Sequence, residues 1–232
     1  MERVNLLGID IDKYTFDEAI EYAKSKKGQV VTINPEMIDY AAKNAVFASI
    51  IKNAELVIPD GIGVQLGLKI LGHNIKRIPG IEFAKRLIAE LEGRPVALIG
   101  AKPNVIQKAV ENLKNEYPNL NLVYVHDGYF EDTDKILDEV CAKEPELVLA
   151  ALGSPKQEEF IYRLKKMLPD ALMIGVGGSF DVWSGEVERA PQIYQKLWLE
   201  WLYRTLKEPK RFKRIFPALP LFVLKVLKEK WS

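Results

Sequence analysis

Cysteine is almost missing from this chain: Cys141 is the only one in 232 residues. No internal disulfide can form, and a reducing compartment suits the sequence. Histidine is nearly as scarce. His73 and His126 stand alone, and two imidazoles with one thiol cannot build the Cys/His ligand sets of structural metal sites. No uninterrupted apolar run approaches the roughly 18 to 20 residues that span a bilayer. The opening residues, Met-Glu-Arg-Val-Asn-Leu-Leu-Gly, lack the basic region, long apolar core and small-residue cleavage site of a secretory signal. Together these absences lead us to expect a cytoplasmic protein.

What is present is an ordinary globular composition, 48% apolar and 28% charged, long enough for a full core. A net charge of +1 conceals an asymmetry. Residues 196–232 hold ten Lys/Arg against three Asp/Glu, net +7, whereas residues 1–195 hold 23 against 29, net −6. We therefore expect an acidic catalytic body, residues 1–195, and a basic appendage, residues 196–232.

Within the body, Glu55-Leu56-Val57-Ile58-Pro59-Asp60-Gly61-Ile62-Gly63-Val64 reads as a buried strand, a sharp turn and a helix start. Asp60 then sits at the carboxyl end of a strand, where open α/β sheets hold ligands. Gly61 and Gly63 leave room for a ligand near the backbone; the alternative is an ordinary turn with Asp60 as a helix cap. Val4 to Ile11 reads as a strand, and Thr15 as the cap of the next helix. Asp10-Ile11-Asp12 resembles the D-x-D metal signature, and we read it as a solvated strand end. A strand from Gln29 to Ile33 closes on Thr32-Ile33-Asn34-Pro35-Glu36, a polar set suited to sugar hydroxyls or, more simply, to capping by Asn34. Arg77-Ile78-Pro79-Gly80 brings a cation into the helix 81–91. Gly61, Gly63 and Gly67 do not match the spacing of a dinucleotide fingerprint.

From residue 95 onward, apolar strands 95–100, 120–125, 146–152 and 171–176 alternate with helices near 103–115, 132–142 and 156–167. This pattern predicts an α/β fold: a Rossmann-like, mainly parallel sheet with helices on both faces, followed by a C-terminal helical appendage. Two further strand ends have the composition of anion or nucleotide loops: Gly153-Ser154-Pro155-Lys156-Gln157-Glu158 and Gly175-Val176-Gly177-Gly178-Ser179-Phe180-Asp181. Glycines also serve ordinary turns.

The tail is different. Tyr194 to Leu206 reads as helix and bears Trp198, Trp201 and Arg204. Lys207, Lys210, Arg211 and Arg214 share a face of its continuation, and Pro217 and Pro220 are expected to interrupt before Leu221. A basic segment with Trp and Phe suits the membrane interface; a solvated charged face or a dimer-packing helix is the alternative. Its cations are mixed with apolar residues, which disfavours nucleic acid. Self-association into a homo-oligomer is also expected where no membrane covers the apolar tail.

The ordered set Thr32-Ile33-Asn34-Pro35-Glu36, Pro59-Asp60-Gly61-Ile62-Gly63, Arg77-Ile78-Pro79-Gly80, Gly153 to Glu158, Gly175 to Asp181, Arg189-Ala190-Pro191 and Glu200-Trp201-Leu202-Tyr203-Arg204 resembles the TagA/WecG/CpsF family of bacterial glycosyltransferases, the N-acetylmannosaminyltransferase type. Pro59 stands where many members have Ala. The resemblance implies inverting, metal-independent transfer of N-acetylmannosamine from a UDP donor, with no cofactor. It implies an undecaprenyl-diphosphate-linked N-acetylglucosamine acceptor and a place in teichoic acid or related surface-polysaccharide synthesis. It also implies that the appendage docks on the inner face of the cytoplasmic membrane and helps complete the active site.

Transfer requires an acceptor hydroxyl to lose a proton while negative charge grows on the departing UDP. Asp60 is the expected general base. Arg77, Arg204, Arg211 and Arg214 are the expected cations for the diphosphate. Thr32, Asn34, Gly61, Gly63, Gly153, Ser154, Gln157, Gly177 and Gly178 are the expected substrate-binding residues. A non-catalytic, membrane-associated module that binds a nucleotide or anionic lipid is the competing reading.

Overall fold

The computed structural model describes residues 2–188 and 209–231, without the side chains of 209–219. Among these, six short apolar segments form the main sheet: β3 (Gly28–Ile33), β4 (Leu56–Pro59), β5 (Pro95–Gly100), β6 (Asn121–His126), β7 (Leu147–Ala151) and β8 (Leu172–Gly175). All are parallel, in the order β4-β3-β8-β7-β5-β6. Strands β4, β7 and β8 are buried along their whole length, as strands covered on both faces must be. Every carboxyl end therefore lies on the same edge of the sheet.

One face is covered by α1 (Phe16–Lys26), α5 (Gly80–Glu90), α6 (Pro103–Glu116) and the short α9 (Ser179–Trp183). They close a core around Ile20, Phe83, Leu87, Ile106 and Phe180. The opposite face is covered by α2 (Pro35–Ala41), α3 (Ala45–Lys52), α4 (Ile62–Ile70), α7 (Thr133–Cys141) and α8 (Lys156–Met167). The Rossmann-like α/β class read from the alternation of strand and helix is the one observed.

Val4 to Ile11 is not one strand. It is an antiparallel hairpin of β1 (Arg3–Leu6) and β2 (Ile9–Asp12), turning at Leu7 and Gly8, both at positive φ. Leucine rarely adopts that conformation. Here the Leu7 N–H donates to the Glu229 carboxylate at 3.1 Å, and the Gly8 N–H donates to Asn5 Oδ1 at 3.0 Å. A contact from 222 residues away in sequence helps hold the turn.

The end of the appendage also departs from expectation. Helix α10 (Pro209–Lys230) runs through Pro217 and Pro220 without a break. An interior proline costs about 3 kcal/mol. Phe222 and Val226, buried against Leu6, Val64 and Leu68, each contribute roughly 2 kcal/mol in the other direction. Lys225 pairs with Asp39 of α2 on the same side. The last turns of α10 are thus docked on the body, while Leu221, Leu224 and Trp231 are exposed.

Candidate active site

Backbone hydrogen bonds stitch the carboxyl edge together around Asp60. The Asp60 N–H donates to the Ile33 carbonyl at 2.8 Å, joining the ends of β3 and β4. The Ile78 N–H donates to the Pro59 carbonyl at 2.7 Å, which brings the Arg77 loop beside the end of β4. Proline is compatible with this strand end for a local reason. The Val57 N–H faces the hairpin and bonds Asp12 Oδ2 at 2.8 Å, so residue 59, two positions on, faces the same way and owes no donor to β3.

Asp60 itself is half-buried, and its Oδ1 accepts from the Gly61 N–H at 2.7 Å. Gly61 has φ +80, a left-handed conformation that suits glycine, and opens α4 without a side-chain cap. Gly63 is buried in the first turn of that helix. The uncapped amino end of α4 thus adjoins a carboxylate at the edge of the sheet. The Arg77 N–H is held by Gln65 Oε1 at 2.9 Å, while its half-buried guanidinium has no protein partner among the described residues.

Thr32 and Asn34 border the same place. Thr32 Oγ1 donates to the Gly175 carbonyl at 3.4 Å, linking β3 to β8. Asn34 Oδ1 caps α2 by accepting from the Met37 N–H at 3.0 Å, so the capping reading of Asn34 holds; its amide nitrogen has no partner among the described residues.

The second group lies on the adjoining strands. Gly153 and Ser154 are exposed in the turn after β7. Gln157 is buried at the start of α8, where its N–H donates to the Gly153 carbonyl at 3.0 Å and its Oε1 accepts from the Gly177 N–H at 3.1 Å. A Cβ at Gly175 would lie 2.4 Å from Gln157 Nε2, so only glycine lets this amide pass. Gly177 is half-buried and Gly178 exposed in the turn after β8. The structure therefore brings Thr32, Asn34, Asp60, Gly61, Gly63 and Arg77 together at β3 and β4, and Gly153, Ser154, Gln157, Gly177 and Gly178 at β7 and β8. Because β3 and β8 are neighbours, the two groups adjoin.

Arg204, with the 189–191 and 200–204 motifs and the helix expected over 194–206, lies outside the described residues. Arg211 and Arg214 fall within α10, but their side chains also lie outside the description.

Sequence reading missed Glu158. It is 3% exposed, and its Oε1 accepts from Gln157 Nε2 at 2.8 Å. Burial pushes its carboxyl up to about 7, against the opposing influence of Gln157 and Ser154. Its neighbour Glu159 is exposed. Both are acids in the first turn of a helix, so residue type alone does not tell which one faces the sheet.

Asp10 and Asp12 both lie on β2, and the reading of a solvated strand end fits Asp10 but not the buried Asp12. Asp10 Oδ1 accepts from Asn5 at 2.7 Å, whereas the buried Asp12 carboxylate is held by Arg3 at 2.7 Å and by the Val57 N–H.

A doubly wound parallel sheet with polar loops gathered at its carboxyl edge defines a ligand-binding α/β protein with its crevice at that edge. Comparison with known proteins narrows the class. The model of the glycosyl transferase WecG/TagA/CpsF family matches residues 4–232, and the chain belongs to that family. It is 35% identical over 226 residues to the N-acetylglucosaminyldiphosphoundecaprenol N-acetyl-beta-D-mannosaminyltransferase of Bacillus spizizenii, covering 95% of this chain and 88% of the relative. To the protein of the same description from Bacillus subtilis strain 168 it is 37% identical over 212 residues, covering 90% and 82%.

Proposed function

We propose that the protein transfers N-acetylmannosamine from its UDP donor to the N-acetylglucosamine of undecaprenyl-diphosphate-linked N-acetylglucosamine, with inversion and without a metal. The observation that carries this reading is the position of Asp60. It is a half-buried carboxylate at the carboxyl end of β4, next to an uncapped helix start and to the loop of Arg77, whose guanidinium has no partner among the described residues. The activity for which the two Bacillus relatives are named supports the sugar and the lipid-linked acceptor.

In this mechanism Asp60 takes the proton of the acceptor hydroxyl as that oxygen attacks the anomeric carbon. The bond to the diphosphate breaks, and UDP leaves with the bonding electrons. Attack from the face opposite the leaving group inverts the centre. Arg77 meets the growing charge on the diphosphate, and Arg204, Arg211 and Arg214 of the appendage are proposed to complete the set. Thr32 and the Asn34 amide address the sugar, and the glycine turns after β7 and β8 admit the nucleotide close to the backbone.

We assign the protein to the inner face of the cytoplasmic membrane, working in teichoic acid linkage-unit or related polysaccharide synthesis. No helix among the described residues is long and apolar enough to cross a bilayer. The exposed Leu221, Leu224 and Trp231, beside Lys228 and Lys230, make a basic amphipathic face suited to an anionic surface.

The deciding experiment is release of UDP from UDP-N-acetylmannosamine, with and without the lipid-diphosphate acceptor, by the wild-type chain and Asp60→Asn. Release that depends on the acceptor and disappears in D60N supports the transferase and its base. No release with the acceptor would overturn the reading.

A further inference from the structure

Between α8 and the sheet lies a small polar cluster in an otherwise apolar layer. Gln29 Nε2 donates to the Glu158 carbonyl at 3.2 Å. Glu158 Oε1 accepts from Gln157 Nε2 at 2.8 Å, and Gln157 Oε1 accepts from the Gly177 N–H at 3.1 Å. The orientation of the Gln157 amide follows from these partners, because only its oxygen can receive an N–H. Two acceptors in the cluster, Gln29 Oε1 and Glu158 Oε2, are buried without a hydrogen-bond partner among the described residues. Leaving such atoms unmatched is costly, and a single added proton changes the count.

We propose that Glu158 is a positioning residue: its buried carboxyl fixes the Gln157 amide and through it the turn after β8 that faces the donor. This rests on the reading that the carboxyl-edge turns bind the UDP donor.

With Nε2 held by Glu158, Gln157 cannot rotate away from Gly177, and its N–H also ties α8 to Gly153 in the turn after β7. One buried carboxyl thereby fixes the spacing of two ligand loops. Burial favours the neutral form of Glu158, whereas hydrogen bonding by Gln157, Ser154 and its own backbone favours the carboxylate. Glu159 on its own helix opposes ionisation. On the elements packed against α8, no cation pairs with it among the described residues. Asp134 of α7 is occupied by Arg163, Lys165 turns to Glu55, and β3 offers the uncharged Gln29. Burial in this setting raises the carboxyl to about 7.

The test uses the full chain, with wild type, Glu158→Gln and Glu158→Met. It reads exchange of the Gly177 amide hydrogen by NMR and UDP affinity by calorimetry at pH 6. In E158M we expect Gly177 protection to fall about tenfold or more while Ile174 in β8 keeps its own, with UDP affinity falling in parallel; such selective opening marks a local change. E158Q, which supplies an acceptor and a donor, should restore both readouts to within about threefold of wild type, a rescue that tests the hydrogen bonds themselves. Unchanged Gly177 protection in E158M, with UDP still bound, would overturn the positioning role alone. Selective loss of protection in a chain whose wild type never binds UDP would sustain the link to the turn but overturn its donor-facing role, together with the donor reading. Should E158M fail to fold, Glu158→Asp decides, because it keeps the acid but draws it back from Gln157 Nε2: Gly177 protection should fall relative to E158Q, and equal protection in the two variants would overturn the proposal.

Discussion

The Asp12 carboxylate, fully buried, holds the Val57 N–H at 2.8 Å and the Arg3 guanidinium at 2.7 Å. It meets the outer edge of the sheet with a side chain in place of another strand. Asp12→Ala removes a charged acceptor and leaves the Val57 donor buried, so stability should drop by about 2–3 kcal/mol. Urea unfolding measures the loss. Turnover per folded molecule should remain near wild type and be indifferent to EDTA. Loss of turnover in a fully folded variant, or strong inhibition by EDTA, would return Asp10 and Asp12 to the list of metal ligands.

Asp60→Asn keeps the shape of the side chain and an acceptor for the Gly61 N–H but cannot take a proton at neutral pH. Turnover should fall about 10²–10⁴-fold, with UDP affinity nearly unchanged. Steady-state kinetics with calorimetry separates the two. A large loss of UDP affinity with normal turnover would assign Asp60 to binding instead.

Arg77 differs in kind, because its backbone is fixed by Gln65 while its guanidinium has no partner among the described residues. Arg77→Lys keeps the charge but loses bidentate geometry, and kcat/KM should fall about tenfold or more. Arg77→Ala should fall further, by about 1.5–3 kcal/mol of transition-state stabilisation. Equal kinetics in R77K and wild type would show that a point charge suffices.

Glu158 also sets a pH dependence of stability. Its ordinary value is 4.5, and burial raises it to about 7 in the folded chain. Between those values the folded state binds more protons than the unfolded state, so stability declines as pH rises from about 4.5 to 7 and then levels off. The gap corresponds to about 3 kcal/mol. Urea unfolding at pH 5 and pH 8 should show this loss in wild type and not in Glu158→Gln. Parallel changes in both proteins would mean that the carboxyl titrates near its ordinary value.

Continuous apolar runs and intervening amphipathic helices made the parallel sheet legible in sequence, because burial on both faces leaves a strand little room for polar residues. Asp60, Thr32 and Gly177 were legible for a related reason: polar and glycine residues that abruptly end such runs must fall at the sheet's edge. The turn at Leu7 was not legible. Its positive φ is supported by Glu229, which local pattern does not reach. Continuity of α10 through Pro217 and Pro220 was hidden in the same way, since local propensity opposes it and only the burial of Phe222 and Val226 explains it. Gln157 looked like a ligand-facing amide, yet its side chain is engaged by Glu158 and Gly177, a distinction that depends on how far α8 is rotated toward the sheet.

The last turns of α10 have one face docked on the body and another exposed, and the two can be separated by substitution. Phe222 is 4% exposed in the body's core, so Phe222→Ala should cost about 3–5 kcal/mol of stability. Removing everything beyond residue 195 should destabilise the body in the same way, because Val4, Leu6 and Leu68 would lose their cover. Leu221, Leu224 and Trp231 are 55%, 61% and 83% exposed. Changing all three to Ser should leave unfolding nearly unchanged while reducing co-sedimentation with phosphatidylglycerol vesicles about tenfold or more, because interfacial binding scales with the apolar area inserted. High salt should weaken wild-type binding further by screening the neighbouring lysines. If the triple variant sediments with vesicles as well as wild type does, the membrane contact belongs elsewhere in the chain, and the exposed face of α10 would have to be explained by another partner.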